Sequence, residues 1–273
     1  MLTDSELQDI ALQIRAAQLE ARQIEPFTSY IPAFDLPSAY AVAQLVHCAR
    51  VSEGAVPIGR KIGFTNVDMW AIYGVREPIW AYVYDQTVTR LSKTDSTCSV
   101  GHFAEPMIEP EIVFHFRTAP PVGTDLPTLL ASIDWVAHAF EIVQSHYPGW
   151  RFQAADTVAD CSLHGVLLLG EPVPVDHLAS NPVAALESFS VALLCNGEVR
   201  EVGRGANVLG NPLIALTYLI SVLSKQPEFL PLQANEIVTT GTITSAQAVH
   251  PGESWQTRLQ GVALPELSVE FIP

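Results

Sequence analysis

The stretch Met107-Ile-Glu109-Pro-Glu111-Ile-Val-Phe-His-Phe116 decides how the chain is read. Strongly apolar neighbours around Glu109 and Glu111 predict a strand, and side chains two apart in a strand share a face. The two carboxylates therefore stand side by side and repel each other. Two readings fit: a solvated strand face, or a buried face on which both stay ionised only beside a cation. A hard divalent ion such as Mg²⁺ or Mn²⁺ suits all-oxygen ligands. A third carboxylate, Glu141, lies in a similar apolar run, Trp135-Val-Ala-His-Ala-Phe-Glu141-Ile-Val143. Three carboxylates, water and substrate would complete an octahedral shell. His115 and His138 are either further ligands or satisfied structural histidines.

Outward from this stretch, short β-like runs recur at 82–84, 112–114, 165–169, 191–194, 236–239 and 267–271. A glycine-bounded strand, Ile58-Gly-Arg-Lys-Ile-Gly-Phe64, holds Lys61 between Arg60 and Ile62. Helices are expected over 126–138 and from Asn211-Pro212, where Asn caps and Pro suits the first helical position. Upstream, residues 3–22 combine a Thr3/Glu6 capping box with Leu7, Ile10, Ala11, Ile14 and Ala17 on one helical stripe. A second amphipathic helix follows Pro37, with Ala39, Val42, Ala43 and Val46 on one side. Few helices among irregularly spaced strands predict an α+β fold dominated by mixed sheet. A smaller helical part, 1–85, precedes a β-rich remainder, 86–273.

The composition narrows the function classes. At 273 residues, 48% hydrophobic and 16% charged, the chain is one large domain or two small ones with a sizeable core. Fourteen Lys plus Arg stand against 29 Asp plus Glu, a formal charge of -15. Such a field repels nucleic acid and anionic lipid over most of the surface. The start, Met1-Leu2-Thr3-Asp4-Ser5-Glu6, lacks a basic segment with an apolar run behind it, and no apolar run approaches the roughly 18 residues of a membrane helix. A soluble cytoplasmic protein is expected. Cys48, Cys98, Cys161 and Cys195 lie far apart without a C-x-x-C pair, as reduced thiols do. Gly203-x-Gly205 has no βαβ context and is no nucleotide loop, and no G-x-S-x-G elbow provides a serine nucleophile.

Six segments taken in order resemble one family: Gly59-Arg-Lys-Ile-Gly-Phe-Thr65, Ile108-Glu-Pro-Glu-Ile112, Phe140-Glu-Ile-Val143, Asp156-Thr-Val-Ala-Asp160, Gly205-Ala-Asn-Val-Leu-Gly-Asn-Pro212 and Thr240-Gly-Thr-Ile-Thr244. The resemblance is to the 2-keto-4-pentenoate hydratase and 4-oxalocrotonate decarboxylase family, within the fumarylacetoacetate hydrolase superfamily, and it spans nearly the whole chain. It implies a mixed β-roll core and a divalent cation, Mg²⁺ or Mn²⁺, held by the acids at Glu109, Glu111 and Glu141. It also implies a lysine at Lys61 that reaches the substrate, a 2-oxo or 2-hydroxy acid with conjugated double bonds. The metal stabilises an enolate as a proton moves, water adds or CO₂ leaves. Lys61 supplies charge or a proton.

One position departs from the hydratase pattern. Hydratases of the family tend to carry an acidic residue after the proline of Gly-Val-x-x-Pro, whereas this chain reads Gly74-Val-Arg-Glu-Pro78-Ile79-Trp80. Loss of CO₂ needs no activated water, so Ile79 fits the decarboxylase branch, and the 240–249 stretch is closer to that branch. Glu77, two residues earlier, is the substitute acid that keeps hydration open. Asp156 and Asp160 share a face if helical; they are either pocket residues, with Asp160 catalytic, or an exposed acidic pair. Arg204 is a partner for a substrate carboxylate or a loop arginine. Trp80, His146, His164 and Thr240 complete the expected pocket. The reading is decarboxylation of a 4-oxalocrotonate-like dioic acid by a homo-oligomer. Its rivals are the hydratase and a catalytically silent subunit that partners a pathway enzyme. An acylpyruvate hydrolase fits less well, because no His-Glu water-activating pair precedes the metal motif.

Overall fold

In the computed structural model, which describes residues 2–92 and 96–273, the Met107–Phe116 segment is the central strand of a nine-stranded mixed sheet. Met1 of the N-terminal stretch quoted above lies outside the described residues. The sheet contains β1 (Pro57–Gly63), β2 (Ile79–Tyr84), β3 (Val88–Arg90), β5 (Met107–Phe116), β6 (Ile133–Val143), β7 (His164–Leu169), β8 (Val173–Pro174), β11 (Ile237–Thr239) and β12 (Gln247–Ala248). Its main path runs β2-β1-β11-β5-β6-β7-β3, while β12 pairs with β5 and β8 with β6. The two ends of that path, β2 and β3, are joined by only the Asp85–Thr87 turn. So short a link forces the sheet to curl into a roll. A second sheet, ordered β10-β9-β13-β14-β4, comprises β4 (Thr97–Ser99), β9 (Ser190–Cys195), β10 (Glu198–Arg204), β13 (Ser254–Gln260) and β14 (Ser268–Ile272).

Three apolar clusters hold these layers. Outside the roll, Ile112, Phe114 and Phe116 of β5 and Ile133 and Val136 of β6 share a core with the helices Asp4–Glu20, Leu36–Ser52 and Pro212–Ser224. Ile108, Phe140, Ile142 and Leu168 pack against Leu193, Trp255, Val269 and Phe271 of the second sheet. Inside the roll, Val83, Val113, Ala137, Ala139, Leu167, Leu169 and Ile237 make an aliphatic interior. By strand alternation, Glu109 and Glu111 lie on the same face as Val113, and Glu141 on the same face as Ala137 and Ala139. The carboxylates thus cap an aliphatic plug. β1 and β2 pair in this sheet too, so the 1–85 stretch contributes both helices and two roll strands.

The local chemistry at the helix starts matches its sequence signals. Thr3 and Glu6 form the capping box, and the Asn211 side chain accepts from Leu213 N. The expected 126–138 helix is corrected: a helix does start, with the Asp125 side chain accepting from Thr128 N, but it spans only Leu126–Ala131. From Ile133 the chain becomes β6, paired along its length with β5. A strand buried on both faces is apolar throughout, which erases the alternation that identifies strands. One segment bears on the membrane expectation. The 205–224 segment has a mean hydropathy of 1.6, enough for a crossing, but 56% of that window is buried inside the fold. Leu213, Leu216, Leu219 and Leu223 fill the outer core, so it is a core helix by packing.

Candidate active site

At the mouth of the roll, β5 and β6 pair with Glu109 directly opposite Glu141, and Glu111 one step along the same face. The three side chains offer oxygens that all lie within 4.8 Å of one another. Lys61, brought in by β1, places Nζ 2.8 Å from Glu141 Oε1. His164 Nδ1 lies 2.6 Å from the same oxygen, and its Nε2 faces the Thr87 hydroxyl at 2.9 Å. Glu111 Oε2 accepts from Gly241 N at 2.9 Å and from the Thr239 hydroxyl. Gly241 sits at φ +94°, and a Cβ there would stand 2.1 Å from Thr65 Oγ1. Only glycine lets that amide approach the carboxylate.

The electrostatics follow from burial over the aliphatic plug. Glu141, Glu111 and Lys61 are 0%, 1% and 3% exposed. Burial pushes the Glu109 carboxyl up to about 7 and Glu111 well above the ordinary carboxylate range. For Glu141 burial acts in the same direction, but the Lys61 ammonium and the His164 bond outweigh it and hold the carboxyl down near 2. Burial works against the Lys61 charge, and the surrounding carboxylates more than offset it, so the ammonium is held above its usual value. With all three carboxyls ionised, as a bound cation would favour against the upward push of burial, three carboxylates against one ammonium leave two negative charges, the charge a divalent cation balances. Glu141 Oε2 is buried without a hydrogen-bond partner among the described residues, and Glu109 opens onto the cleft. An all-oxygen donor set with an orphaned buried oxygen fits a hard divalent ion.

This cluster floors a cleft of about 940 Å³. One wall is aromatic: Phe64 and Tyr73 pack at a tilt with centroids 4.6 Å apart, and Phe152 stacks 5.6 Å from Tyr73 and lies 6.2 Å from Trp150. Ile79 belongs to the same lining. It pairs with Gly63, two residues beyond Lys61, and so shares Lys61's face of the sheet. Lys61 is the only basic side chain among the described residues that line the cleft. Asn207 and Glu201 reach across from the β10 side: Asn207 Nδ2 donates to Ile243 O at 2.9 Å, and Glu201 accepts from Ser245 N at 3.1 Å. Together they hold the 241–246 segment at the rim. Gly203 lets β10 lie this close, since a Cβ there would meet Ile243 O at 2.2 Å.

The cleft therefore gathers Lys61, Glu109 and Glu111, with Glu141 and His164 directly behind them. Other residues singled out from the sequence lie elsewhere. Thr240 is buried and turned away, its hydroxyl bonded to Ile112 O, while its neighbour Thr239 contacts Glu111. Trp80 alternates with Ile79 and so enters the outer core, where Nε1 donates to Gln226 Oε1 at 2.8 Å. Asp156 accepts from Thr28 N, Thr28 Oγ1 and Gln153 N, and Asp160 from Gln18 Nε2 and His146 Nδ1, away from the cleft lining. Asp156 and Asp160 are thus buried, which corrects the reading of an exposed acidic pair. Glu77 is a surface residue paired with Lys225 at 2.7 Å, and Arg204 is exposed outside the lining. His115 stacks on Trp135 and pairs with Asp134. His138 bridges Glu111 O and the Thr257 hydroxyl, and burial pulls its pKa down to about 4, so it is a neutral structural histidine. Sequence reasoning missed Thr87, Thr239 and Gly241, whose contacts arise only through tertiary pairing, and the aromatic wall.

No family model matches the chain. Among curated proteins it is similar to 2-keto-4-pentenoate hydratase of Paraburkholderia xenovorans (strain LB400), 30% identical over 96% of this chain and 94% of the relative. It is equally similar to 4-oxalocrotonate decarboxylase of Pseudomonas putida, 30% identical over 96% of each chain. Among solved structures, 4-oxalocrotonate decarboxylase from Pseudomonas putida G7, complexed with magnesium and adipate, aligns with a TM-score of 0.89 at 29% identity, covering 100% of this chain and 99% of that one. Fumarylpyruvate hydrolase from Pseudomonas aeruginosa, in complex with Mn²⁺ and pyruvate, shares the fold at TM-score 0.56 and 14% identity, over 78% of this chain and 88% of that one.

Proposed function

Because the chain belongs to the 2-keto-4-pentenoate hydratase and 4-oxalocrotonate decarboxylase family, within the fumarylacetoacetate hydrolase superfamily, we propose that it is a divalent-metal-dependent lyase that decarboxylates a 4-oxalocrotonate-like 2-oxo dioic acid to a 2-hydroxydienoate. Glu109, Glu111 and Glu141 would hold Mg²⁺ or Mn²⁺, which supplies Lewis-acid stabilisation of the charge developing on the substrate's 2-oxygen. Lys61, held protonated by its carboxylate neighbours, acts as a fixed positive charge toward the substrate's oxygens. His164 orients Glu141 and is itself braced by Thr87. The Phe64, Tyr73, Phe152 and Trp150 wall keeps water from the conjugated chain. In the reaction the bond to the distal carboxylate breaks, CO₂ leaves, and the bond's electron pair passes along the conjugated system to the 2-oxygen, which takes up a proton to give the 2-hydroxydienoate. No water enters.

The observation that carries decarboxylation over hydration is the side chain at Ile79. It lines the cleft beside Lys61, where an apolar group offers no base to activate water. Glu77 does not replace it, being paired with Lys225 at the surface. The four cysteines are free, which fits a reducing compartment, and we place the chain in the cytoplasm. Exposed Leu12, Leu19 and Val51 on the two N-terminal helices support a homo-oligomer. The test incubates the purified chain, with and without Mg²⁺ or Mn²⁺, with 4-oxalocrotonate and separately with 2-hydroxypenta-2,4-dienoate. Metal-dependent CO₂ release from the first is expected. Loss of the dienoate chromophore without CO₂ release would make it the hydratase, and silence on both would overturn this substrate assignment in favour of a different oxo acid or a partner-only role.

A further inference from the structure

Between the Ala154–Ala159 helix and β7 the backbone does something costly. Cys161, Ser162 and Leu163 all take positive φ, at 50°, 51° and 62°. L-residues visit the left-handed region singly, and glycine, asparagine or aspartate is the usual occupant. Three in a row without any of these persists only where the surroundings enforce it. Here they do. Leu163 N donates to Asp160 O at 2.8 Å, and Leu163 O accepts from Gln144 N at 2.9 Å. The Asp160 side chain is tied to His146 at 2.7 Å and to Gln18 at 2.9 Å. Cys161 and Leu163 are pinned in the outer core.

The turn leaves Ser162, with Leu163 beside it, in the cleft wall. Ser162 is 5% exposed and lines the cleft together with Lys61, Glu109 and Glu111. Its hydroxyl is buried and has no hydrogen-bond partner among the described residues. A serine hydroxyl in a low-dielectric wall is costly to leave unpaired, because it has lost water without gaining a replacement. Strain that delivers such a group to a binding cleft is a mark of preorganisation. We propose that Ser162 contacts the substrate, its hydroxyl donating a hydrogen bond to an oxygen of the bound 2-oxo acid, and that the turn fixed by Asp160 and His146 exists to hold it there. This rests on the proposal that the cleft binds 2-oxo acids. It also gives Asp160 and His146 positioning roles, away from the reacting atoms.

The test measures pyruvate binding in the presence of Mg²⁺ by calorimetry, together with Mg²⁺ binding alone and thermal stability, for wild type, Ser162→Ala and Ser162→Gly. Losing a hydrogen bond to a charged oxygen is expected to raise the pyruvate Kd roughly tenfold or more in both variants. Mg²⁺ affinity should not change. Ser162→Gly should melt no lower than wild type, since glycine adopts positive φ without a Cβ penalty. Higher stability with weaker pyruvate binding is a combination that a structural serine does not produce. If the wild type binds pyruvate and Ser162→Gly binds it equally well, this inference is overturned while the functional reading stands. If the wild type binds no pyruvate with Mg²⁺, the functional reading fails and this inference fails with it.

Discussion

The protein buries two groups of carboxylates, and they are treated in opposite ways. Asp156, in the short Ala154–Ala159 helix, is fully buried and receives three donors, Thr28 N at 3.1 Å, Thr28 Oγ1 at 2.6 Å and Gln153 N at 2.9 Å. Its charge is spent on holding the helix to the N-terminal segment. Glu109, Glu111 and Glu141 are packed against one another with one lysine among them, and Glu141 Oε2 has no donor among the described residues. A buried charge with its hydrogen bonds satisfied is scaffold. One left short, beside like charges, is stable only with something the chain itself does not provide.

The sharpest way to break this contrast is to neutralise one member of each group. Glu109→Gln should abolish metal binding and lower turnover roughly 10³-fold or more while the fold survives, since no protein donor is orphaned and a repulsion is relieved. Undiminished turnover would remove Glu109 from the site. Asp156→Ala should do the reverse, destabilising the fold by about 3 kcal/mol through its stranded donors, with turnover per folded molecule close to wild type. Urea titration alongside activity separates the two. Next in size is the metal itself. Saturating Mg²⁺ at a hundred times its Kd should stabilise the native state by about 2.7 kcal/mol, and chelation should reverse this. Glu109→Gln should show no such shift. Thr87→Val, which removes the hydroxyl facing His164 Nε2 at 2.9 Å, should weaken metal affinity about tenfold without touching a ligand.

The same contrast explains what the sequence made legible. Glu109 and Glu111 stood out because two charges at strand spacing interrupt an apolar run, and period two puts them on one face whatever the fold. Glu141 was visible as a charge among Phe140 and Ile142, but its place opposite Glu109 depends on the β5 and β6 register, which no local pattern encodes. The residues at 133–138 were read as helix because a strand covered on both faces loses its alternation. Asp156 and Asp160 looked alike from spacing, but the donors that make both scaffold come from Thr28, Gln18 and His146, far away in sequence. A donor count needs tertiary structure. Trp80 was misplaced by a single residue of alternation, since Ile79 takes the cleft face.

The smallest expected effects test whether the cleft alone defines the site. Arg204 is a candidate partner for a substrate carboxylate, and Glu77 a candidate acid; Arg204 is exposed, Glu77 is half-buried at the surface, and both lie outside the lining. Glu77 spends its charge on Lys225 at 2.7 Å, a surface pair worth little to stability. Arg204→Ala and Glu77→Gln should therefore leave kcat and KM for the preferred oxo acid within about twofold of wild type, and stability within about 0.5 kcal/mol. A large rise in KM for Arg204→Ala would mean that β10 swings its arginine over the cleft when substrate binds, and that Lys61 is not the only basic side chain the substrate meets. A loss of kcat for Glu77→Gln would bring back an acid on the Ile79 side, and with it hydration as the reaction.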